Sequence, residues 1–150
     1  RRIRIKRNIP FFIFSEKFHH TGEIGVYEGN VFIEGNGAIV DLNEGVGIWI
    51  YADENYPANL DIEHITIVNS GDNALTFNGT ATGNISNCNF IFNEFGIQIM
   101  DETDITVKNC NFISNNQFGF ATRGTTTSFE LTYCNFWQNE LGCSGYNENC

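Results

Sequence analysis

Two cations stand among carboxylates in the second half of this chain. Beyond position 17 the only Lys or Arg residues are Lys108 and Arg123, in a stretch that also holds Asp101, Glu102 and Asp104. A cationic side chain beside a substrate can neutralise an anionic group or, once deprotonated, remove a proton as a general base. Asp101 and Asp104 offer the hard oxygen ligands that Ca²⁺ takes. Upstream, Trp49, Tyr51 and Tyr56 flank Asp53 and Glu54. An aromatic face beside carboxylates is a platform on which a sugar ring can stack. His19, His20 and His64 are too scattered to form a metal motif by spacing, and solvated histidine is the default reading.

The elements that must hold these residues are visible as a repeat. Asn87-Cys88-Asn89-Phe90, Asn109-Cys110-Asn111-Phe112 and Tyr133-Cys134-Asn135-Phe136 recur at intervals of 22 to 24 residues. Each is followed by an Asn (Asn93, Asn115, Asn139) and then by a Gly-apolar pair: Gly96-Ile97, Gly119-Phe120, Gly142-Cys143. A worn copy precedes them at Ile65 to Leu75. Periods of this length mark stacked supersecondary units, and short alternating strands without a helical stretch predict an all-β, parallel β-helix of about six coils. Three strands per coil follow from the alignment. The first places Ile62, Ile85, Val107 and Leu131 inward, and the second places Ile67 and the Cys/Phe pairs inward. The third begins near the Gly-apolar pair. The Asn row is expected in the tight turn between the second and third strands, where Asn tolerates left-handed backbone and its amide can reach the next coil. Residues 1–30 read as an entry coil, 31–143 as regular coils of one domain, and 144–150 as a tail.

In this register Cys88, Cys110 and Cys134 form a column. Three sulfurs in a line cannot surround one tetrahedral ion, so they read as small buried fillers. Cys143 and Cys150 could close a terminal staple. Asp72, Glu94, Gln117 and Glu140 climb one edge as a solvated acidic stripe, with Ca²⁺ binding as the functional alternative.

Net charge is −10, yet five of the eight basic residues fall within the first seven positions. An acidic body lacks the basic footprint that nucleic acid requires. No apolar run reaches membrane-spanning length. Arg2-Ile3-Arg4-Ile5-Lys6 alternates with period 2 and predicts an exposed edge strand. The chain opens on Arg1 in mid-pattern, which suggests a piece of a longer solenoid, with further coils or a partner at the C-terminal end.

Val31-Phe32-Ile33-Glu34-Gly35-Asn36-Gly37-Ala38-Ile39-Val40-Asp41, followed by the Asn-Cys-Asn-Phe repeats, resembles the right-handed parallel β-helix superfamily that includes the pectate lyases. The resemblance spans residues 25 to 145 and implies a secreted or cell-surface protein acting on, or binding to, polysaccharide or cell-surface glycan. It also implies that the working face is the first strand with its adjoining loops. Its outward residues include Asp61, Glu63, His64 and Tyr133, and the loops add Tyr51, Asp53, Asn78 and Asp101. On a lyase or epimerase reading for uronate polymers, Lys108 or Arg123 would be the base, with Asp101 and Asp104 holding a cation such as Ca²⁺. Ser70-Gly71-Asp72-Asn73 also sits where polygalacturonase-like β-helices carry catalytic acids. Here Asn73 and Phe95 stand in place of the second Asp and the His, and hydrolysis needs two facing carboxylates. Three function classes therefore follow: a glycan-binding or adhesion module, a uronate lyase or epimerase, and a structural spacer.

Overall fold

The computed structural model describes residues 3–5, 12–13, 18–19, 24–124 and 127–141. Among the described residues, eighteen short strands form three six-stranded parallel sheets. Sheet A contains β1 (Ile3–Ile5), β4 (Ile24–Val26), β7 (Ile48–Ala52), β10 (Asn73–Gly79), β13 (Phe95–Met100) and β16 (Phe120–Arg123). Sheet B contains β2 (Phe12–Ile13), β5 (Gly29–Glu34), β8 (Ala58–Glu63), β11 (Thr82–Ser86), β14 (Asp104–Lys108) and β17 (Ser128–Thr132). Sheet C contains β3 (Phe18–His19), β6 (Ile39–Asp41), β9 (Thr66–Val68), β12 (Asn89–Ile91), β15 (Asn111–Ile113) and β18 (Asn135–Trp137). The chain visits A, B and C in turn, and every strand pairs in parallel with the strand one coil away. Six passes separated by about 4.8 Å give five full turns and a rise of about 24 Å. The sheets B, C and A are the first, second and third strands of the sequence repeat. β1 is the edge of sheet A, as the alternating basic start predicts.

Each coil sets like residues on like. Inside sheet A, Ile48, Leu75, Ile97 and Phe120 stack in register. Ile62, Ile85, Val107 and Leu131 do so in sheet B, and Ile67, Phe90, Phe112 and Phe136 in sheet C. The sheet C rings form a stack: Phe90 to Phe112 is 5.2 Å between centroids and Phe112 to Phe136 is 4.7 Å, with the ring planes nearly parallel in both pairs. A repeat of this kind derives its stability from neighbouring coils. Gly83 is the gap in the sheet B interior. A Cβ there would lie 2.3 Å from the Leu60 carbonyl oxygen and 2.6 Å from the Phe77 ring, so the missing side chain is what admits Phe77.

All three corners use left-handed backbone, at the A–B edge on Gly79, Asp101 and Gly124. Between B and C it falls on His64, Asn87, Asn109 and Tyr133, with φ of 54°, 55°, 53° and 55°. The expectation that His64 and Tyr133 are ordinary outward residues of the first strand is therefore corrected: β8 and β17 stop one residue earlier. Between C and A the left-handed residues are Asn43, Glu44, Asn69, Phe92, Ser114 and Gln138. Among Asn93, Asn115 and Asn139, none has positive φ; the turn is made by the residue before each. The asparagines instead bond along the axis. Asn93 Nδ2 donates to Asn115 Oδ1 at 3.1 Å, and Asn115 Nδ2 donates to Asn139 Oδ1 at 2.8 Å. Each Oδ1 also accepts a backbone N–H from the coil before it: Ser70, Asn93 and Asn115 respectively.

Cys88 and Cys110 are buried as expected and Cys134 is half-buried, and all three are free thiols. Each donates to backbone carbonyls, Cys88 to Ser86 O at 3.1 Å and Cys110 to Lys108 O at 3.3 Å. Interaction with Cys110 lowers the Cys88 thiol pKa despite its burial. Cys134 draws the Cys110 thiol down, but the contact with Cys88 and burial outweigh it and push it up to about 12. Cys143 and Cys150 lie outside the described residues.

Candidate functional site

The alternation of each strand decides which polar residues share a surface. On the outer face of sheet A, Trp49, Thr76, Gln98 and Ala121 stand in register across β7, β10, β13 and β16. Two residues further along the same strands, Tyr51 stands beside Asn78, and Met100 beside Arg123. Trp49 and Tyr51 are 36% and 39% exposed, large rings left open on one strand. Around Trp49 lies a cavity of about 230 Å³ whose walls include Asp72, Asn73, Gln98, Met100 and Arg123. Its floor is polar and tightly held: Asn73 Nδ2 donates to Gln98 Oε1 at 3.3 Å, and Asn73 Oδ1 is buried without a hydrogen-bond partner.

Tyr51 opens onto a second cleft of about 440 Å³ at the edge where sheet A passes to sheet B. Asp53, Glu54, Thr80, Asp101 and Glu102 line it. The backbone shapes this edge closely. Gly79 has φ +69° and would set a Cβ 2.0 Å from the Ala52 carbonyl oxygen. Asp53 Oδ1 accepts the backbone N–H groups of Asn55 and Tyr56 at 2.8 and 3.0 Å. That oxygen therefore builds the loop rather than facing a ligand.

The outer face of sheet B carries different columns. Glu34, Glu63, Ser86, Lys108 and Thr132 are in register, with Asp61, Asn84, Thr106 and Glu130 in the next row. Asp61 Oδ1 accepts from Asn84 Nδ2 at 2.7 Å. Lys108 is separated from Glu63 by the Ser86 rung, about 10 Å at two strand spacings. Lys108 lies at the sheet C end of β14, whereas Arg123 lies at the sheet B end of β16. The two cations thus stand on different sheets, each closing its strand, at different corners of the coil. Asp101 lines the edge cleft and Asp104 opens β14.

At the corner between B and C, His64 Nδ1 lies 3.2 and 3.3 Å from the two Glu34 carboxylate oxygens. Glu34 Oε1 also accepts the Asn36 N–H at 2.7 Å. That amide foremost, then His64, holds the Glu34 carboxyl below the usual carboxylate range against the opposing effect of burial. Glu63 completes a group of three whose ligand atoms all lie within 4.8 Å of one another; it is the one such group of His, Cys, Asp and Glu among the described residues. A cavity of about 600 Å³, lined by Asn36, Thr66, Asn87 and Asn89 as well as Glu34 and His64, adjoins it.

The residues expected to share one site are thus distributed over three places. Tyr51, Asp53 and Asp101 meet at the A–B edge, next to the Asn78 position. Asp61, Glu63 and Lys108 stand on the sheet B face. His64 and Tyr133 occupy the B–C corner, three coils apart. Sequence reasoning missed Glu34, because its partner His64 is 30 residues away and belongs to a longer coil than the Cys-based repeats. Extending the alternating pattern of Val31, Ile33 and Leu60, Ile62 would have set Glu34 beside Glu63. The acidic stripe at Asp72 and Glu94 is partly engaged: Asn116 Nδ2 donates to Glu94 Oε2 at 3.3 Å.

Three parallel sheets coiled about a shared core, with open clefts on their outer faces, define a parallel β-helix. The chain belongs to the family described as right handed beta helix region, whose model matches residues 6–150. No curated protein and no solved structure gives a significant match. Among the described residues no helix is long and apolar enough to cross a membrane.

Proposed function

We propose that this chain is a glycan-binding β-helix that works outside the cytoplasm, and that it grips polysaccharide along the outer face of sheet A and the adjoining A–B edge. The observation that carries this reading is the pair Trp49 and Tyr51. They are outward-facing neighbours on β7, both open to solvent; Tyr51 faces a cleft walled by Asp53, Glu54, Asp101 and Glu102, and Trp49 one that holds Asp72 and Arg123. Exposed aromatics offer flat apolar area for a pyranose face, while Asp72 and Arg123 offer hydrogen bonds and charge beside it. The reading differs from the sequence expectation in its principal face. Sheet B presents Asp61 tied to Asn84, whereas sheet A combines rings with polar groups.

Affinity electrophoresis through gels containing neutral and uronate polysaccharides tests the proposal. Retardation by at least one polymer is expected, weakened about tenfold or more in Trp49→Ala and Tyr51→Ala and unchanged in Lys108→Ala. Absence of retardation on every polymer, or retardation indifferent to both rings, would overturn it. Appearance of an unsaturated uronate product by ultraviolet absorbance would replace binding with lyase chemistry.

A further inference from the structure

The B–C corner holds a group of ligating side chains that the glycan reading does not use. Glu34 and Glu63 are directly paired in register on β5 and β8, so their carboxylates leave the same face one strand spacing apart, about 4.8 Å. Like charges directly opposite each other on neighbouring strands are destabilising, and a cation between them removes the conflict. His64 follows Glu63 at once. Its left-handed backbone, φ 54°, turns the chain at that point, and its Nδ1 faces the Glu34 carboxylate.

We propose that Glu34, Glu63 and His64 form a binding site for a divalent first-row transition ion of the Zn²⁺ class. Three features select that ligand. The donor set is two carboxylate oxygens and one imidazole nitrogen. Imidazole suits Zn²⁺, Co²⁺ and Ni²⁺, whereas Ca²⁺ takes six to eight oxygens. The spacing is close: three ligands about 2.0 to 2.2 Å from an ion lie roughly 3 to 3.5 Å apart, and these lie within 4.8 Å before any ion draws them in. Rotation about the flexible Glu side chains covers the difference. The surroundings are also prepared. The Asn36 N–H fixes one Glu34 oxygen, as outer partners orient ligands in metal sites. The adjoining cavity of about 600 Å³ leaves room for water or a further ligand on the open side of the ion. With three protein ligands, the site resembles open zinc centres rather than closed four-ligand structural ones.

The test is isothermal titration of the metal-stripped, untagged chain with ZnCl₂, repeated with CaCl₂. One Zn²⁺ site is expected, with Ca²⁺ at least tenfold weaker. Glu34→Gln and His64→Asn should each weaken Zn²⁺ binding tenfold or more. Asn is chosen at 64 because it accepts the left-handed conformation that Ala would strain. Far-UV circular dichroism of both variants checks that the coils persist. If either variant unfolds, Glu63→Gln carries the same expectation from the neighbouring strand. Zn²⁺ binding that survives these changes, arising for instance at cysteines, would overturn the proposal. So would the absence of Zn²⁺ binding, or equal affinity for Ca²⁺.

Discussion

Removing the Asn115 side chain should cost far more than its exposure to ligand or solvent would suggest. Asn115 is 1% exposed. Its Oδ1 accepts from the Asn93 backbone N–H and from Asn93 Nδ2, both at 3.1 Å. Its Nδ2 donates to Phe90 O at 3.1 Å and Asn139 Oδ1 at 2.8 Å. In Asn115→Ala the Asn93 N–H loses the acceptor it points at, inside a turn that water does not enter. A buried donor left unsatisfied costs about 1–3 kcal/mol, and each further bond lost about 1 kcal/mol. Asn93 Nδ2 retains Ile67 O at 3.2 Å, which softens one of these losses. The expected destabilisation is therefore about 3–5 kcal/mol, a large share of the roughly 5–15 kcal/mol by which domains are stable. With a urea m-value of about 2.5 kcal/mol/M, the unfolding midpoint should fall by about 1.5 M. Asn139→Ala serves as the internal comparison, because Asn139 is only part-buried near the end of the stack; it should cost about 1–2 kcal/mol. Equal midpoints for the two variants, or a loss under about 1 kcal/mol for Asn115→Ala, would refute the axial ladder as a source of stability.

Three further outcomes follow from the same coil geometry. Phe112→Ala removes the middle ring of the Phe90–Phe112–Phe136 stack and should cost about 3–5 kcal/mol in denaturant unfolding. Gly83→Ala forces a methyl against the Leu60 carbonyl and the Phe77 ring, for a loss of about 1–3 kcal/mol; pairing it with Phe77→Leu should recover part of that loss. Cys110 is buried and its thiol is pushed up to about 12, so iodoacetamide at pH 8 should leave its peptide unlabelled by mass spectrometry while the unfolded chain is labelled. Because the folded thiol holds its proton more tightly than the unfolded one, its stabilising share is full below about pH 8.5. That share is lost as pH rises toward 12, and Cys110→Ala should flatten this alkaline decline in melting temperature.

The interior of this protein was legible because translation along the axis repeats a single local pattern. Ile62, Ile85, Val107 and Leu131 align by counting alone, and so do Cys88, Cys110, Cys134 and the three phenylalanines after them. Inward positions alternate with period 2, and each coil's apolar set must fall on its neighbour's. Placement within the turns was less accessible. Sequence composition marks Asn93 and Asn115 as special, but their value lies in the axial hydrogen bond, and that bond leaves the left-handed turn to Phe92 and Ser114.

The outer surface depended on the tertiary structure, because coil lengths differ and loops shift the count. Glu34 meets His64 across a coil longer than the 22-residue spacing of the Asn-Cys-Asn-Phe repeats, and the two cations Lys108 and Arg123 part to different sheets although only 15 positions separate them in number. Trp49 and Tyr51 face outward beside Thr76 and Asn78 only because β7 pairs with β10 in that register. Period and apolarity by themselves determined the coil and its core, since burial acts on every repeat alike. Which charges and rings became neighbours was decided by the register between coils of unequal length, which no single repeat contains.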